Sequence, residues 1–459
     1  MIRTLRSKRA LNSLKNQGKT AFLGKLKYAI IALSMLWISQ LPADANGIAA
    51  DSSWTAAAKL LDSLPLGIQQ NSSSVDSLPK PSELGPEKDI WDVYRQLFNK
   101  ERDSDKAPSA ITVIPNISAN PTIGFQGGIK AVAGKALGKD TTTYLSVAAT
   151  SASITTKGIL YFYLTHNVFT SGNKYNFQGS IVASKSVTPD FGLGSRPGPD
   201  GNRRGYVYHS SYYQFKEKVY KELAPHLYGG AGIELDIRRN TSSKQEDILH
   251  TPYGQYNTKY GFSQTGYNAN GFLFDLQYTS RDNQNRAYKG IYANAGIRLN
   301  QSWIGSTKNA TQLNLDLRKY ISLSKKHPEH VLALWTWSSF VLGGRLPYFE
   351  LPGTGRDISF RSGRGYTVSF FKGTQFFYYE TEYRFPITRD KLLRGVTFFN
   401  LESVNDKSVH QHLFDSWQPG AGAGLRILFN KATRTNLCLD YAFGRFGKKG
   451  FFLGLNEAF

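Results

Sequence analysis

A cation and two carboxylates stand out by type and spacing between positions 351 and 387. Arg364-Gly365-Tyr366 places a guanidinium and an aromatic ring on a glycine-rich stretch, which is a compliant backbone for binding. Glu380 and Glu382 follow two positions apart, a spacing that puts both carboxylates on one side of a β-strand. The chemistry that these residues favour is ion pairing, with Arg364 predicted to meet a carboxylate in a watery interior.

The sequence shows no pattern that is typical of an active site or a metal centre. No glycine-rich phosphate loop, cysteine cluster or Ser/His/Asp arrangement stands out, and Cys438 is the single cysteine. His410 and His412 form a His-x-His pair without an evident third ligand. We therefore expect a protein that is not an enzyme and that uses neither a cofactor nor a metal.

Residues 377–385 alternate between two kinds of side chain. One side of the predicted strand carries Phe377, Tyr379, Thr381, Tyr383 and Phe385. The other side carries Tyr378, Glu380, Glu382 and Arg384. An aromatic outer face and a charged inner face suit a barrel wall that separates lipid from a watery lumen.

The composition of the whole chain is β-rich. Aromatic residues make up 13% of its 459 residues, and the mean hydropathy is −0.37. No apolar run reaches the roughly 18 residues of a membrane-spanning helix, which excludes an α-helical membrane protein. The formal net charge is +22, so basic side chains are expected to meet lipopolysaccharide phosphates or to line an anion-preferring lumen.

The N-terminal region is predicted to direct export. Residues 1–45 combine a long basic lead, an apolar stretch at 28–40 and a small-x-small site, Ala43-Asp44-Ala45, as a signal peptide does. A membrane anchor is the alternative and needs a longer apolar run. Residues 46–109 are predicted to be a mostly flexible periplasmic lead-in. They include a short amphipathic helix near 89–100, which we expect to pack against the barrel's periplasmic end; a partly ordered linker is the alternative.

Residues 110–459 are predicted to form an all-β, antiparallel transmembrane barrel of about 16 strands. The long connections 188–205, 241–265, 344–373 and 407–416 all follow odd-numbered strands. Long outer loops and short periplasmic turns are typical of a membrane barrel. In a soluble sandwich, loop length is not expected to depend on whether the preceding strand is odd- or even-numbered.

The end of the chain carries a predicted insertion signal for the barrel-insertion machinery. Phe451, Leu453, Leu455 and Phe459 alternate along the last predicted strand and end on an aromatic residue. Glu457 interrupts this face, and we expect it at the lipid headgroup boundary.

Several motifs together resemble a known family. They are Arg364-Gly365-Tyr366, the ETEYRFPI, GAGAGLR and DYAFG stretches that begin at 380, 420 and 440, and the GLNEAF end. This set resembles the bacterial surface-antigen superfamily of 16-stranded outer-membrane barrels, which includes the BamA and TamA assembly factors. The likeness spans 110–459 and is nearest to a Bacteroidota-type form without the periplasmic POTRA domains, since 46–110 is too short to contain one.

The resemblance implies that the sixth outer loop folds into the lumen and that Arg364, Gly365 and Tyr366 form its plug motif. The inner-wall partners of Arg364 would come from Glu380, Glu382, Glu402 and Asp440. Asn400 stands where the family commonly has aspartate, and Gly363 stands where an aliphatic residue is more frequent. Ladders of inward charges are also expected, pairing Arg318 with Asp316, Arg384 with Glu382, and Arg426 with Asp440.

The first strand is predicted to close the barrel weakly. Pro115 lies in it and Pro121 just beyond, and proline cannot donate to a strand ladder. The seam between the first and last strands is therefore a hypothetical site of sideways opening.

The function predicted from these features is transport or insertion of protein or lipid at the outer membrane of a Gram-negative bacterium. A passive or plugged pore and a surface receptor or adhesin are the alternatives. The expected partners are outer-membrane lipid, lipopolysaccharide, the barrel-insertion machinery and a periplasmic protein that replaces the POTRA domains. Nucleic acid is not expected.

Overall fold

The structure is a computed structural model and describes residues 87–97, 111–137, 143–243, 247–431, 434–455 and 457–459. The predicted signal peptide, 1–45, and most of the predicted lead-in, 46–109, lie outside the described residues. None of the described helices is long and apolar enough to cross a membrane.

Sixteen strands make up the fold when the two segments of the first are counted together. The first eight are β1 (Ile111–Pro115 and Ser118–Asn120), β2 (Gly124–Ala136), β3 (Leu145–Thr155), β4 (Leu160–Phe169), β5 (Tyr175–Asp190), β6 (Tyr206–Ala224), β7 (Leu227–Ser243) and β8 (Tyr267–Thr279). The others are β9 (Gly290–Asn300), β10 (Ala310–Ser322), β11 (Val331–Gly344), β12 (Gln375–Pro386), β13 (Leu393–Val404), β14 (Gln418–Asn430), β15 (Thr435–Gly444) and β16 (Lys449–Leu455). Within the described residues, two α-helices accompany them, α1 (Ile90–Leu97) and α2 (Pro252–Tyr260).

Each strand pairs antiparallel with the next, and β16 returns to pair with β1. The sheet is therefore a closed 16-stranded antiparallel barrel, as the alternation and the connection lengths predicted. Closure leaves no long open edge, which is the condition for a sheet to stand in hydrocarbon.

The two faces of the wall differ as a membrane barrel requires. On β12, Glu380 and Glu382 are completely buried, whereas Tyr383 on the opposite face is 36% exposed. The exposed faces of the neighbouring strands carry apolar side chains, including Phe399, Leu425, Leu439, Phe443 and Phe451. Apolar residues thus face the surroundings and polar residues face inward, the reverse of a soluble protein.

The connections sort by length. Those at 191–205, 345–374 and 405–417 follow odd-numbered strands, as does the connection after β7, which carries α2. Turns such as 225–226 and 387–392 follow even-numbered strands. We call the two ends of the barrel the long-loop end and the short-turn end.

The chain terminus differs from the sequence prediction. β16 ends at Leu455, so Phe459 does not continue its outward face. Phe459 is only 7% exposed and packs on Trp335, with 5.1 Å between ring centroids. Glu457 was expected at the headgroup boundary but is buried beside Arg426. The reason is that both groups find better partners inside: the ring buries apolar surface, and the carboxylate meets a guanidinium. The recognition of this end by insertion machinery stays a prediction.

Candidate functional site

Arg364 lies at the centre of a buried ion cluster. Its side chain is enclosed by three carboxylates, which come from Glu380 and Glu382 on β12 and from Asp440 on β15. Nη1 donates to Asp440 Oδ2 across 2.8 Å, while Nη2 donates to both glutamates. The guanidinium carbon also lies 3.5 Å from the centroid of the Phe398 ring. A planar fork of five donors suits this crowded set of acceptors better than a single ammonium does.

Two glycines let the backbone bring Arg364 to this place. Gly363 has a φ of +78°, and a Cβ there would clash with the Glu402 carboxylate and with Thr354. Gly365 has a φ of +108°, and a Cβ would lie 2.7 Å from the carbonyl oxygen of Phe443. Residues other than glycine rarely adopt a backbone φ in this range, which explains why glycine occupies both positions.

Neighbouring residues hold the backbone of the same stretch. Asn400 Nδ2 donates to the carbonyl of Arg364 across 3.0 Å, which an aspartate could not do. The Tyr366 hydroxyl donates to the carbonyl of Pro419 across 2.5 Å and accepts from the backbone N–H of Arg445 across 2.9 Å. Its ring stacks on that of Phe370 with 5.4 Å between centroids.

Glu402 differs from the prediction. We expected it among the partners of Arg364, but it accepts a hydrogen bond of 2.5 Å from the hydroxyl of Thr354. The reason is its position two residues further along β13 than Asn400, which brings it beside Thr354 and Gly363. Glu402 therefore binds the 345–374 segment through a hydroxyl instead of the guanidinium.

The predicted ladders of inward charges are present. Arg318 pairs with Asp316 across 2.6 Å, Arg384 pairs with Glu382 across 2.6 Å, and Arg426 pairs with Asp440. Arg426 Nε also donates to Glu457 across 2.7 Å, a contact that was not predicted from the sequence. The signal for it was the interruption of an apolar terminal face by a carboxylate.

A second buried ion pair ties the 345–374 segment to the long-loop end of β5. Lys372 Nζ donates to Asp190 and lies 3.7 Å from the centroid of the Tyr348 ring. The Tyr348 hydroxyl donates to the other oxygen of Asp190 across 2.8 Å. Complete burial lowers the pKa of Lys372 to about 8, although the Asp190 carboxylate acts in the opposite direction. This pair was not predicted from the sequence, because no local pattern indicates it.

The seam between β1 and β16 is short. One residue pair, Ala119 with Leu453, joins the two strands, whereas seven pairs join β15 to β16 in the described part of the chain. The 345–374 segment contacts both sides of this seam. Arg361 Nη2 donates to the carbonyl of Leu455 across 2.9 Å, and the backbone N–H of Val368 donates to the hydroxyl of Thr122 across 2.8 Å.

Comparisons with known proteins agree with this architecture. The family model described as the Omp85 superfamily domain matches residues 143–459. The crystal structure of BamA from Haemophilus ducreyi lacking POTRA domains 1–3 superposes with a TM-score of 0.53 at 12% identity, covering 76% of this chain and 71% of that one. CdiB from Escherichia coli gives a TM-score of 0.50 at 9% identity, and the alignment covers 77% of this chain but only 65% of CdiB. No curated protein sequence matches the chain.

The structural likenesses are distant in sequence and show the barrel fold alone, whereas the family model covers most of the chain. The family expected from the sequence motifs is confirmed, and so is the expected location. The chain belongs to the Omp85 superfamily and is an outer-membrane β-barrel of a Gram-negative bacterium.

Proposed function

We propose that this barrel transports or inserts protein or lipid at the outer membrane by opening sideways between β1 and β16. The observation that carries the proposal is the seam itself, with one residue pair against seven in the adjoining β15–β16 ladder. A backbone hydrogen bond contributes about 0.5–1.5 kcal/mol net, so parting this seam costs much less than parting any longer ladder. The barrel thus has one place where its wall separates most easily.

The 345–374 segment acts in this proposal as a plug inside the lumen, with Arg364, Gly365 and Tyr366 as its anchoring motif. Support comes from the buried contacts of Arg364 with Glu380, Glu382 and Asp440, which hold the segment to the inward faces of β12 and β15. The same segment reaches both sides of the seam through Arg361 and Val368. Movement of the plug would therefore release two contacts that brace the closed seam.

The remaining parts of the proposal follow from the sequence. Residues 1–45 would be removed as a signal peptide, and 46–109 would stand in the periplasm, where a partner protein receives the client. The terminal Phe451, Leu453, Leu455 and Phe459 would be read by the barrel-insertion machinery. Lipid and lipopolysaccharide would surround the wall, and the chain would carry out no chemical reaction.

A passive pore is less well supported. Aromatic side chains from the long-loop end form a buried cluster, which includes Tyr208, Tyr253, Tyr348 and Phe349. Tyr253 and Phe349 stack with 4.8 Å between centroids. A buried aromatic cluster at this end opposes steady ion flow. Conductance in planar bilayers separates the two functions, because a large open state that does not depend on Arg364 would favour the pore.

Disulfide locks across the seam test sideways opening directly. In a Cys438→Ala background, Ala119→Cys with Leu453→Cys would lock β1 to β16, while Leu439→Cys with Leu453→Cys would lock β15 to β16. Both designs use residues paired in register and share one cysteine. In cells depleted of the native protein, the oxidised seam lock should reproduce the depletion phenotype, seen as a changed protein and lipid profile of the outer membrane. The control lock should restore the normal profile.

Reduction of the seam lock should also restore the profile, which excludes a folding defect as the cause. If the oxidised seam lock supports a normal outer membrane, sideways opening is not how this protein works.

A further inference from the structure

Helix α1 has two distinct sides. At 100° per residue, Ile90, Val93, Tyr94 and Leu97 fall on one side, and Trp91 flanks them. Asp92, Arg95 and Gln96 fall on the opposite side. In a water-soluble protein the apolar side of such a helix packs against the protein, and its polar side faces solvent.

Helix α1 reverses this arrangement, because its polar side is the one docked on the barrel. Lys431, in the turn between β14 and β15, donates from Nζ to Asp92 across 2.6 Å. The backbone N–H of Lys431 donates to Asp89 across 3.1 Å. Just before the helix, Glu87 pairs with Arg394 of β13 across 2.8 Å. These contacts fix the helix to the short-turn end by charged groups.

Most of the apolar side is exposed, whereas Val93 is half-buried. The exposed fractions are 37% for Ile90, 47% for Trp91, 42% for Tyr94 and 74% for Leu97. The Trp91 ring contacts the Phe429 ring edge-on, with 6.0 Å between centroids. Phe429 lies near the end of β14, two residues before Lys431. In water, each exposed apolar side chain forgoes part of the roughly 1.5–3 kcal/mol that full burial contributes.

We propose that α1 lies in the periplasmic leaflet of the outer membrane, with its apolar side in the phospholipid. The short-turn end faces the periplasm in an outer-membrane barrel, so α1 lies at the depth of that leaflet. The strands next to the helix present a lipid-facing surface on the outside of the barrel. This surface includes Leu425 of β14 and Leu439 of β15, which are 45% and 42% exposed. The exposed side of α1 extends this surface at the rim.

The residue types of the helix and the rim fit a headgroup region. Tryptophan and tyrosine, here Trp91 and Tyr94, are enriched at membrane interfaces because each has an apolar ring and a polar tip. The adjacent turn 387–392 carries Arg389, which is exposed and whose cationic end suits anionic phospholipid headgroups. A phospholipid surface therefore satisfies both the apolar side of α1 and the cationic residue beside it.

Depth-dependent fluorescence quenching tests this placement in the full-length protein. Two variants are made in a Cys438→Ala background, Leu97→Cys and Gln96→Cys, and each is labelled with an environment-sensitive fluorophore. The two positions are adjacent in the chain but lie on opposite sides of α1. The proteins are reconstituted in vesicles of phosphatidylethanolamine and phosphatidylglycerol that contain phosphatidylcholine brominated near the headgroup end of its acyl chains. Iodide in the buffer serves as the aqueous quencher. Heat-dependent gel mobility verifies that both barrels are folded.

The probe at 97 should be quenched by brominated lipid roughly two-fold more than the probe at 96, because an interfacial helix sinks its apolar side about 5–10 Å into the headgroup boundary. Iodide should quench the probe at 96 more strongly than the probe at 97. Equal quenching at the two positions, or a probe at 97 that iodide reaches freely, would overturn the proposal. The vesicles hold no other protein. If the probe at 97 is exposed to water in them, the apolar side of α1 is not covered by lipid, and its partner would be a periplasmic protein.

Discussion

The side-chain amide of Asn400 donates a hydrogen bond to the backbone carbonyl of Arg364 across 3.0 Å, and both residues are buried. A single residue of the 345–374 segment is thus held twice. Its backbone is held by a neutral donor on β13, and its guanidinium is held by three carboxylates on β12 and β15. The neutral amide is needed because a fourth carboxylate would face a carbonyl oxygen without a proton to donate.

Asn400→Asp should therefore weaken the fold. The change replaces a buried donor with a negative acceptor, and an unmet buried group costs about 1–3 kcal/mol. Urea unfolding of the refolded protein in detergent micelles measures the loss. Asn314→Asp, on the inward side of β10 and outside this cluster, is the matched control and should lose less. Equal losses would show that position 400 has no special relation to Arg364.

Arg364→Ala should release the 345–374 segment. Removal of one member of a buried ion cluster costs about 3–5 kcal/mol, because the remaining charges lose their partner. Arg364→Lys should lose less but still be weaker than the native protein, since an ammonium cannot reach three carboxylates as a fork does. Protease cleavage within 345–374 in intact vesicles reports the release. Arg356→Ala, in the same segment, should leave the cleavage rate close to native.

Gly363→Ala should destabilise the protein more than Gly447→Ala does. Both glycines have positive φ, +78° and +64°, so both substitutions carry a similar backbone cost of about 1–2 kcal/mol. A Cβ at 447 meets open space, whereas one at 363 clashes with Glu402 and Thr354. The clash should add about 1–3 kcal/mol, measured as the difference between the two unfolding free energies. A difference near zero would mean that the segment moves aside easily.

The stability contributed by Lys372 should rise with pH. Its folded pKa of about 8 lies below the ordinary value of 10.5, so between these two values the unfolded chain binds more protons than the folded one. The free energy of unfolding should therefore increase from pH 8 to pH 10.5, by up to about 3 kcal/mol relative to a variant without this amine. Lys372→Met supplies that reference and cancels the other titrating groups. A constant difference between the two proteins over this range would contradict the shift.

Phe459→Ala should destabilise the purified barrel, whereas Phe451→Ala should change its stability little. The Phe459 ring is buried on Trp335, and loss of such a ring costs about 3–5 kcal/mol. Phe451 is 58% exposed on the outward face. Unfolding in micelles without cellular machinery measures packing alone. If Phe459→Ala is as stable as the native protein there but is poorly inserted in cells, the terminal residue acts as a recognition signal and not as a packing group.

Local sequence by itself determined the fold class and the faces of the wall. Side-chain direction along a strand depends on the parity of position, so Glu380 and Glu382 could be assigned to one side from their spacing alone. The sorting of long and short connections likewise depends only on the chain being threaded back and forth through a membrane. The inward charge of Arg384 beside Glu382 followed from the same parity.

Only the tertiary structure decided which distant groups meet. Lys372 and Asp190 are 182 residues apart, and the closing of the barrel brings them together. The partner of Glu402, the inward turn of Phe459 and the docked side of α1 also depend on contacts between separate elements. The physical reason is that periodicity defines two faces for every strand or helix, but the neighbours that the closed barrel supplies decide what each face touches.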